Sequence, residues 1–232
     1  MFQIKICGIT TPEDALAAAA AGADAVGLNF FPGSSRFIHP GTAQKIVDAL
    51  QSQFGEGVTP VGVFVNATIE EVAETIELLS LNWIQFHGHE NVEYIARLQE
   101  KFGGKLRIIR AFRPRSWEDL KEIANFAREC KANNTPLEAV LIDGARGSAF
   151  GGTGQLAPWD LAARYREVFE GQSPPPLVLA GGLTPENVAD AIQSVRPDAV
   201  DTASGVEIAP GRKDPLKMKA FVQAAHQALQ AL

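Results

Sequence analysis

Short apolar runs alternate with amphipathic segments along the whole chain, and this alternation limits the possible folds more than any other feature. The runs are almost continuously hydrophobic, which is typical of parallel strands that are covered on both faces. The predicted strands are residues 3–7, 25–30, 61–65, 83–87, 106–112, 138–143, 177–180 and 198–202. A sheet of this kind needs a crossover helix after every strand.

The segments between these runs have the period of helices. Apolar residues recur at i, i+3, i+4 and i+7, as in Ile69, Val72, Ala73 and Ile76. Helix starts are marked by capping residues at Thr11, Thr68, Ser116 and Thr184. Further helices are predicted over residues 40–51, 91–102, 156–169 and 214–230.

Eight strand–helix units in 232 residues amount to about 29 residues per unit. This indicates an α/β protein with a single domain over residues 1–232, folded as a (β/α)₈ TIM barrel. A doubly wound open sheet also alternates in this way but more often has five or six strands, so the barrel is favoured. The stretch Gly171–Pro176 is too short to be a domain boundary and is interpreted as a loop.

Composition narrows the functional classes. A hydrophobic content of 46% is enough for a full core, whereas a net charge of −6 and a pI near 5.3 argue against a nucleic-acid partner. Two cysteines cannot form a disulfide framework, and they suit the reducing cytoplasm. A strand-like run begins at Phe2, and no apolar run approaches 20 residues, so we expect neither a signal peptide nor contact with a membrane.

Two strand-like runs end on a reactive side chain. Cys7 follows Ile4–Ile6, and Asp143 follows Ala139–Ile142. The carboxyl ends of barrel strands carry the active site, so a base and an acid there suit an isomerase that moves protons. The alternatives are that Cys7 is a small buried hydrophobe and that Asp143 caps a loop. Cys130, among charged residues on a helix, is interpreted as structural.

Polar and glycine-rich segments follow other predicted strands. The pairs Gly181-Gly182 and Ser204-Gly205 lie after strands seven and eight, where barrels of this class often bind phosphate. Arg36, in a loop of small residues, could bind a carboxylate in bidentate fashion. His87 lacks neighbours at metal-ligand spacing, so we predict a hydrogen bond to substrate there and no metal site.

Together these segments resemble the phosphoribosylanthranilate isomerase family of tryptophan biosynthesis. The similar pieces are Lys5–Thr10, Phe31–Arg36, Gln85–Gly88, Leu141–Asp143, Gly151–Gly154, Leu179–Leu183, Asp201–Glu207 and Pro210–Asp214. They occur in the family's order and span nearly the whole chain.

The resemblance implies a cofactor-free Amadori rearrangement of N-(5-phosphoribosyl)anthranilate, a phosphorylated and carboxylated small molecule. It implies that Asp143 is the general acid, that Cys7 is the general base, and that Arg36 binds the anthranilate carboxylate. It also implies substrate-binding roles for the residues Gln85, His87, Gly154, Gly181, Gly182, Asp201, Ser204 and Gly205. A monomer and a homodimer are both compatible with the sequence.

Two departures from the family pattern are visible. Gln155–Asp160 replaces a common aromatic-Asp-Trp segment, which leaves the start of the sixth helix open, and Thr202-Ala203 precedes Ser204. Two other functions stay as alternatives. The related phosphosugar isomerase of histidine biosynthesis is expected to have an aspartate in place of Cys7, and a non-catalytic phosphate-binding barrel would need neither Cys7 nor Asp143.

Overall fold

The computed structural model describes residues 1–144 and 158–232, and its centre is a closed barrel of eight parallel strands. The strands are β1 Ile4–Cys7, β2 Ala25–Asn29, β3 Thr59–Phe64, β4 Trp83–Phe86, β5 Arg107–Phe112, β6 Ala139–Ile142, β7 Leu177–Leu179 and β8 Ala199–Thr202. Each strand pairs with the next, and β8 pairs with β1. The predicted fold class is therefore confirmed, with strand ends within two residues of the predicted ones.

Helices follow the strands and cover the outside of the barrel. They are α1 Pro12–Ala20, α2 Pro40–Phe54, α3 Ile69–Leu79, α4 Val92–Lys101, α5 Trp117–Ala132, α6 Trp159–Ala162, α7 Val188–Val195 and α8 Pro215–Gln230. Two 3-10 helices, Tyr165–Phe169 and Ser204–Val206, lie before β7 and after β8. An antiparallel hairpin of β9 Glu207–Ala209 and β10 Arg212–Lys213 was not predicted from the sequence. Within residues 1–144 and 158–232, no helix combines the length and the apolar character needed to span a membrane.

Three of the predicted helix starts are confirmed by their capping bonds. The Thr11 hydroxyl accepts from the N–H of Asp14, and Thr68 with Glu71 forms a complete capping box. Ser116 and Asp119 form a second box, in which the shorter aspartate still reaches the cap N–H. These bonds satisfy N–H groups that have no partner inside a helix.

The fourth start is wrong, because α7 begins at Val188 and not after Thr184. The Asn187 side chain accepts from the N–H of Thr184 at 2.8 Å and donates to the carbonyl of Gly182 at 3.0 Å. These bonds hold residues 183–187 in a turn, so the helix starts only after it.

The predicted continuous helix over residues 156–169 is also wrong in its described part. It divides into α6 and the 3-10 helix Tyr165–Phe169. The N–H of Arg164 bonds to the carbonyl of Leu161, and that of Glu167 bonds to Arg164. Hydrogen bonds between residues three apart are those of a 3-10 helix, which is more tightly wound than an α-helix and rarely extends beyond a few residues.

The barrel interior and the layer under the helices are separate apolar clusters. The interior is filled from alternate strand positions by Phe2, Ala25, Val61, Trp83, Ile109, Ala111, Ala139, Leu141, Val178, Ala180 and Ala199. Lys5 pairs in register with Ala25 and with Asp201, so its side chain also points into the barrel. Alternation then brings Cys7, His87 and Asp143 to the same interior side at the carboxyl ends of their strands.

The Thr68 capping box gives a test of the fold's local energetics. We expect Thr68→Ala to lower the free energy of unfolding by about 1 kcal/mol, because the N–H of Glu71 in the first turn of α3 loses the hydroxyl that accepts from it. Urea denaturation measures this. Glu74→Ala, at an exposed position of the same helix, is the control and should change stability much less. Equal stabilities for Thr68→Ala and the control would contradict the assigned cap.

Candidate active site

Cys7 is the last residue of β1, and its thiol fits against the neighbouring strand because position 27 is a glycine. Cys7 and Gly27 are paired in register, and a Cβ at position 27 would stand 2.5 Å from the Cys7 sulfur. Burial raises the pKa of this thiol, while the charge of Lys5 acts in the opposite direction. These surroundings therefore favour the neutral thiol of Cys7, which lies in a tightly bounded space.

Lys5 lies two residues before Cys7 on the same side of β1 and is fully buried. Its Nζ donates to Oδ1 of Asp201, across the seam between β1 and β8, at 2.9 Å. Burial disfavours the ammonium, but the interaction with Asp201, followed by that with Cys7, outweighs burial and raises the pKa of Lys5. The lysine therefore remains a cation inside the barrel.

Asp143 lies directly after β6, where its N–H bonds to the carbonyl of Phe112 at the end of β5. Its Oδ2 is 3.3 Å from His87 Nε2 and 3.4 Å from Arg113 Nε. Burial of the carboxyl favours its neutral form, but His87 and then Arg113 outweigh burial and lower the pKa of Asp143. These neighbours therefore favour the ionised carboxylate of Asp143.

Gln85 lies one layer below His87 on the same side of β4 and is almost completely buried. Its Nε2 is 3.3 Å from His87 Nδ1. If the amide nitrogen donates there, the imidazole keeps its proton on Nε2, which faces Asp143. Gln85 thus orients His87, and His87 in turn faces Asp143.

Arg36 is held by a carboxylate of the hairpin after β8. Its Nε and Nη2 donate to the two carboxylate oxygens of Glu207, each at 2.7 Å. Lys213 Nζ and the N–H of Gly211 also donate to Glu207 Oε1, at 2.9 and 3.3 Å. Within the described parts of the chain, Arg36 Nη1 has no hydrogen-bond acceptor, so one edge of the guanidinium is available to a ligand.

The same arginine lies beside the end of β1. A Cβ at Gly8, which has φ +74°, would collide with the Arg36 side chain at Cδ. A glycine is thus required here by the backbone conformation as well as by the arginine above it. Arg36 therefore stands next to the residue that follows Cys7.

The two predicted anion-binding turns are adjacent in space. Gly181 and Gly182 have φ values of +85° and +66°, and their N–H groups have no protein acceptor among residues 1–144 and 158–232. A Cβ at Gly205 would collide with the carbonyl oxygen of Leu183, so the turn after β8 packs directly on the turn after β7. Ser204 and Gly205 begin a 3-10 helix without a side-chain cap. Such free N–H groups suit an anion.

Most of the site residues predicted from the sequence lie at this one end of the barrel. Asp201 is bonded to Lys5 below Cys7, and Gln85 lies below His87. Gly154 lies outside the described residues. Within residues 1–144 and 158–232, no three His, Cys, Asp or Glu side chains are grouped so that they could hold a metal ion.

Four charged residues of the site were missed by the sequence reasoning: Lys5, Arg113, Glu207 and Lys213. Two of them could have been found from strand alternation. Lys5 lies two residues before Cys7, and Arg113 lies two residues after Ala111, so each is expected on the same side of its strand as that neighbour. Glu207 and Lys213 lie on the unpredicted hairpin. No local pattern indicated that this hairpin folds back towards Arg36.

Sequence and structure comparisons agree on one family. Residues 4–224 match the family model described as N-(5'phosphoribosyl)anthranilate (PRA) isomerase. Relatives named N-(5'-phosphoribosyl)anthranilate isomerase include one from Trichlorobacter lovleyi, 42% identical over 99% of this chain and 100% of the relative. Another, from Syntrophus aciditrophicus, is 41% identical over 98% of this chain and 88% of its own length.

Solved structures give the same result. The phosphoribosyl anthranilate isomerase of Thermotoga maritima superposes with a TM-score of 0.80 at 37% identity, covering 98% of this chain and 100% of that one. A second structure of such an isomerase, bound to reduced 1-(o-carboxyphenylamino)-1-deoxyribulose 5-phosphate, gives a TM-score of 0.77 at 36% identity with the same coverage. The chain thus belongs to the N-(5'-phosphoribosyl)anthranilate isomerase family.

Proposed function

We propose that the chain catalyses the Amadori rearrangement of N-(5-phosphoribosyl)anthranilate to 1-(2-carboxyphenylamino)-1-deoxyribulose 5-phosphate in tryptophan biosynthesis. The observation that carries this proposal is the arrangement of a thiol and a carboxylate around one pair of anion-binding turns. Cys7 ends β1 and Asp143 follows β6, while β7 and β8, which precede the turns, lie between these strands in the barrel. A relative with 36% identity binds a reduced form of the same product skeleton.

Asp143 is the proposed general acid. It donates a proton to the furanose ring oxygen, the ring C–O bond breaks, and the anilino nitrogen supplies the electron pair that forms the Schiff base. His87 Nε2 and Arg113 Nε lie 3.3 and 3.4 Å from Oδ2 of this carboxyl group and fix its position. The carboxylate left after this transfer is the form that these two partners stabilise.

Cys7 is the proposed general base. Its thiolate removes the proton from C2′ of the Schiff base, and the electron pair moves to the iminium to give an enolamine. Tautomerisation of the enolamine yields the ketone. The reaction moves protons between carbon, oxygen and sulfur without net oxidation, so it requires no added electron acceptor. The two proton transfers take place at different substrate atoms, which explains why the acid and the base stand on separate strands.

The two ends of the substrate are anionic, and the site offers a different partner for each. The N–H groups of the turns after β7 and β8 receive the phosphate, aided by the permissive backbone of Gly181 and Gly182. The free edge of the Arg36 guanidinium receives the anthranilate carboxylate. Glu207 fixes the orientation of that edge by its two bonds to the opposite side.

The protein surroundings favour the neutral thiol of Cys7 and the ionised carboxylate of Asp143, the opposite protonation states from those that the reaction uses. Burial raises the pKa of Cys7, whereas His87 and Arg113 outweigh burial and lower that of Asp143. Binding of a phosphate and a carboxylate adds negative charge near Asp143. Nearby negative charge raises the pKa of a carboxyl, which favours the protonated acid once substrate is present.

We further propose a cytoplasmic location, which the two buried free thiols Cys7 and Cys130 favour. For the assembly, we propose a homodimer in preference to a monomer, because the similar isomerase of Thermotoga maritima is described as a dimeric enzyme, from which monomers were generated for one of its solved structures. Sedimentation of the full chain would distinguish the two states.

The activity itself has a direct test. Incubation with freshly prepared phosphoribosylanthranilate should abolish the fluorescence of the substrate with enzyme-like turnover. Product formation is checked by the appearance of the aminoketone, which has the same mass as the substrate. Folded protein that leaves the fluorescence unchanged would refute the proposed reaction and favour a phosphate-binding barrel without activity.

Removal of the acid or of the base should abolish turnover. We expect Cys7→Ala and Asp143→Asn each to lower kcat by about 10² to 10⁴-fold with little change in substrate affinity. Steady-state kinetics and equilibrium binding of a product analogue measure the two effects. Cys130→Ala is the matched control, because this thiol is buried on α5 and takes no part in the proposed reaction. Near-normal kcat in either active-site variant would remove that residue from the mechanism.

Loss of the arginine should affect binding. We expect Arg36→Ala to raise KM by about 10 to 100-fold, the effect of losing a charged hydrogen-bonded pair. Glu207→Gln keeps the shape of the partner but weakens its hold on the guanidinium, so KM should rise by a smaller factor. A KM that stays the same in Arg36→Ala would show that the arginine serves only the hairpin contact.

A further inference from the structure

A buried ion pair lies below the proposed base and takes no part in the proposed proton transfers. Lys5 is completely buried and Asp201 almost so, and their bond joins neighbouring positions of β1 and β8. Replacing such a pair by apolar side chains is often neutral or favourable for stability. Stability alone therefore does not account for a lysine at this position, two residues before Cys7.

The geometry couples this pair to the sulfur. Lys5 and Cys7 point to the same side of β1, because they are separated by two residues in a strand. The Lys5 ammonium has three N–H donors and uses one of them, at 2.9 Å, for Asp201 Oδ1. It is therefore placed between a carboxylate on the next strand and the thiol above.

Other charges reach the same region from neighbouring elements. The charges of Lys5 and Lys213 favour the thiolate form of Cys7, and that of Asp201 opposes it. Arg36, in the loop after β2, is also electrostatically coupled to the thiol. Burial raises the pKa of Asp201, Lys5 acts in the opposite direction, and Asp143 after β6 and His87 after β4 are electrostatically coupled to it. Lys213 and Arg36 are both bonded to Glu207, so much of their charge is already neutralised.

We propose that Lys5 and Asp201 act as a positioning pair for Cys7, in which the Lys5 ammonium stabilises the thiolate and Asp201 both orients that ammonium and limits its field at the sulfur. The inference rests on the proposed role of Cys7 as the base. When the thiol ionises, its proton leaves to solvent and the ammonium has two anionic partners, the carboxylate and the sulfur. The Lys5 ammonium has three N–H donors, so it can donate to the Asp201 carboxylate and to the Cys7 thiolate at the same time.

The pair predicts shifts of opposite sign in the ionisation of Cys7. We expect Lys5→Met to move the midpoint of thiolate formation up by about one pH unit and Asp201→Asn to move it down by about one unit. The first change removes the stabilising cation, and the second leaves that cation uncompensated. The acidic limb of the kcat–pH profile should move in the same directions as these midpoints.

Thiolate absorbance near 240 nm is followed against pH, with each variant measured against the same protein carrying Cys7→Ser. The subtraction removes Cys130, whose pKa burial raises to about 11. Lys219→Met, which removes an exposed lysine of α8, is the control for the loss of one positive charge and should leave the midpoint unchanged. Circular dichroism confirms that each variant is folded.

Shifts in the same direction for Lys5→Met and Asp201→Asn, or no shift in either, would overturn the proposal. If Lys5→Met does not fold, Asp201→Asn alone tests the proposal. A midpoint of Cys7 thiolate formation that rises or stays constant in Asp201→Asn would contradict the proposed role of the pair. The absorbance titration needs no substrate. A wild-type protein that fails to convert phosphoribosylanthranilate would therefore refute the proposed function while the titration still tests the pair.

Discussion

The closure of the sheet between its first and last strands is the constraint on which the site depends. β1 and β8 are almost 200 residues apart in the chain, and their pairing brings Lys5 opposite Asp201. The same closure sets the turn after β8 beside the end of β1, and it sets β9 and β10 over the loop that carries Arg36. An open sheet with the same strands would leave Cys7 without Asp201 and without the turn and hairpin that follow β8.

Charge in this site is organised in one buried pair and two clusters of three groups. Lys5 with Asp201 lies below the thiol, Asp143 lies between His87 and Arg113, and Glu207 holds two cations at the mouth. Burying charges in this way costs free energy that ion pairing recovers only in part. Such an arrangement is typical of a functional site, where the ionisation of a few groups must be set by their surroundings.

Local order along the chain explains what could be predicted from sequence. The apolar runs, the capping residues and the glycine turns each report on a few neighbouring residues, so eight strands and most helix starts followed from them. The turn before α7 was misread because the side chain of Asn187 bonds to the backbone of Gly182 and Thr184. The α6 region was misread because a helical pattern does not show whether the chain continues with bonds across four residues or three.

Sequence alone determined the barrel, the thiol at the end of β1, the carboxyl after β6 and the glycine turns, because strand periodicity and position at a strand end are local properties. Tertiary structure decided what surrounds these groups. It gave Cys7 the Lys5–Asp201 pair, gave Asp143 the neighbours His87 and Arg113, and turned one edge of Arg36 towards Glu207. The ionisation of a buried group depends on charges from strands that are distant in the chain, and only the closed barrel brings those charges together.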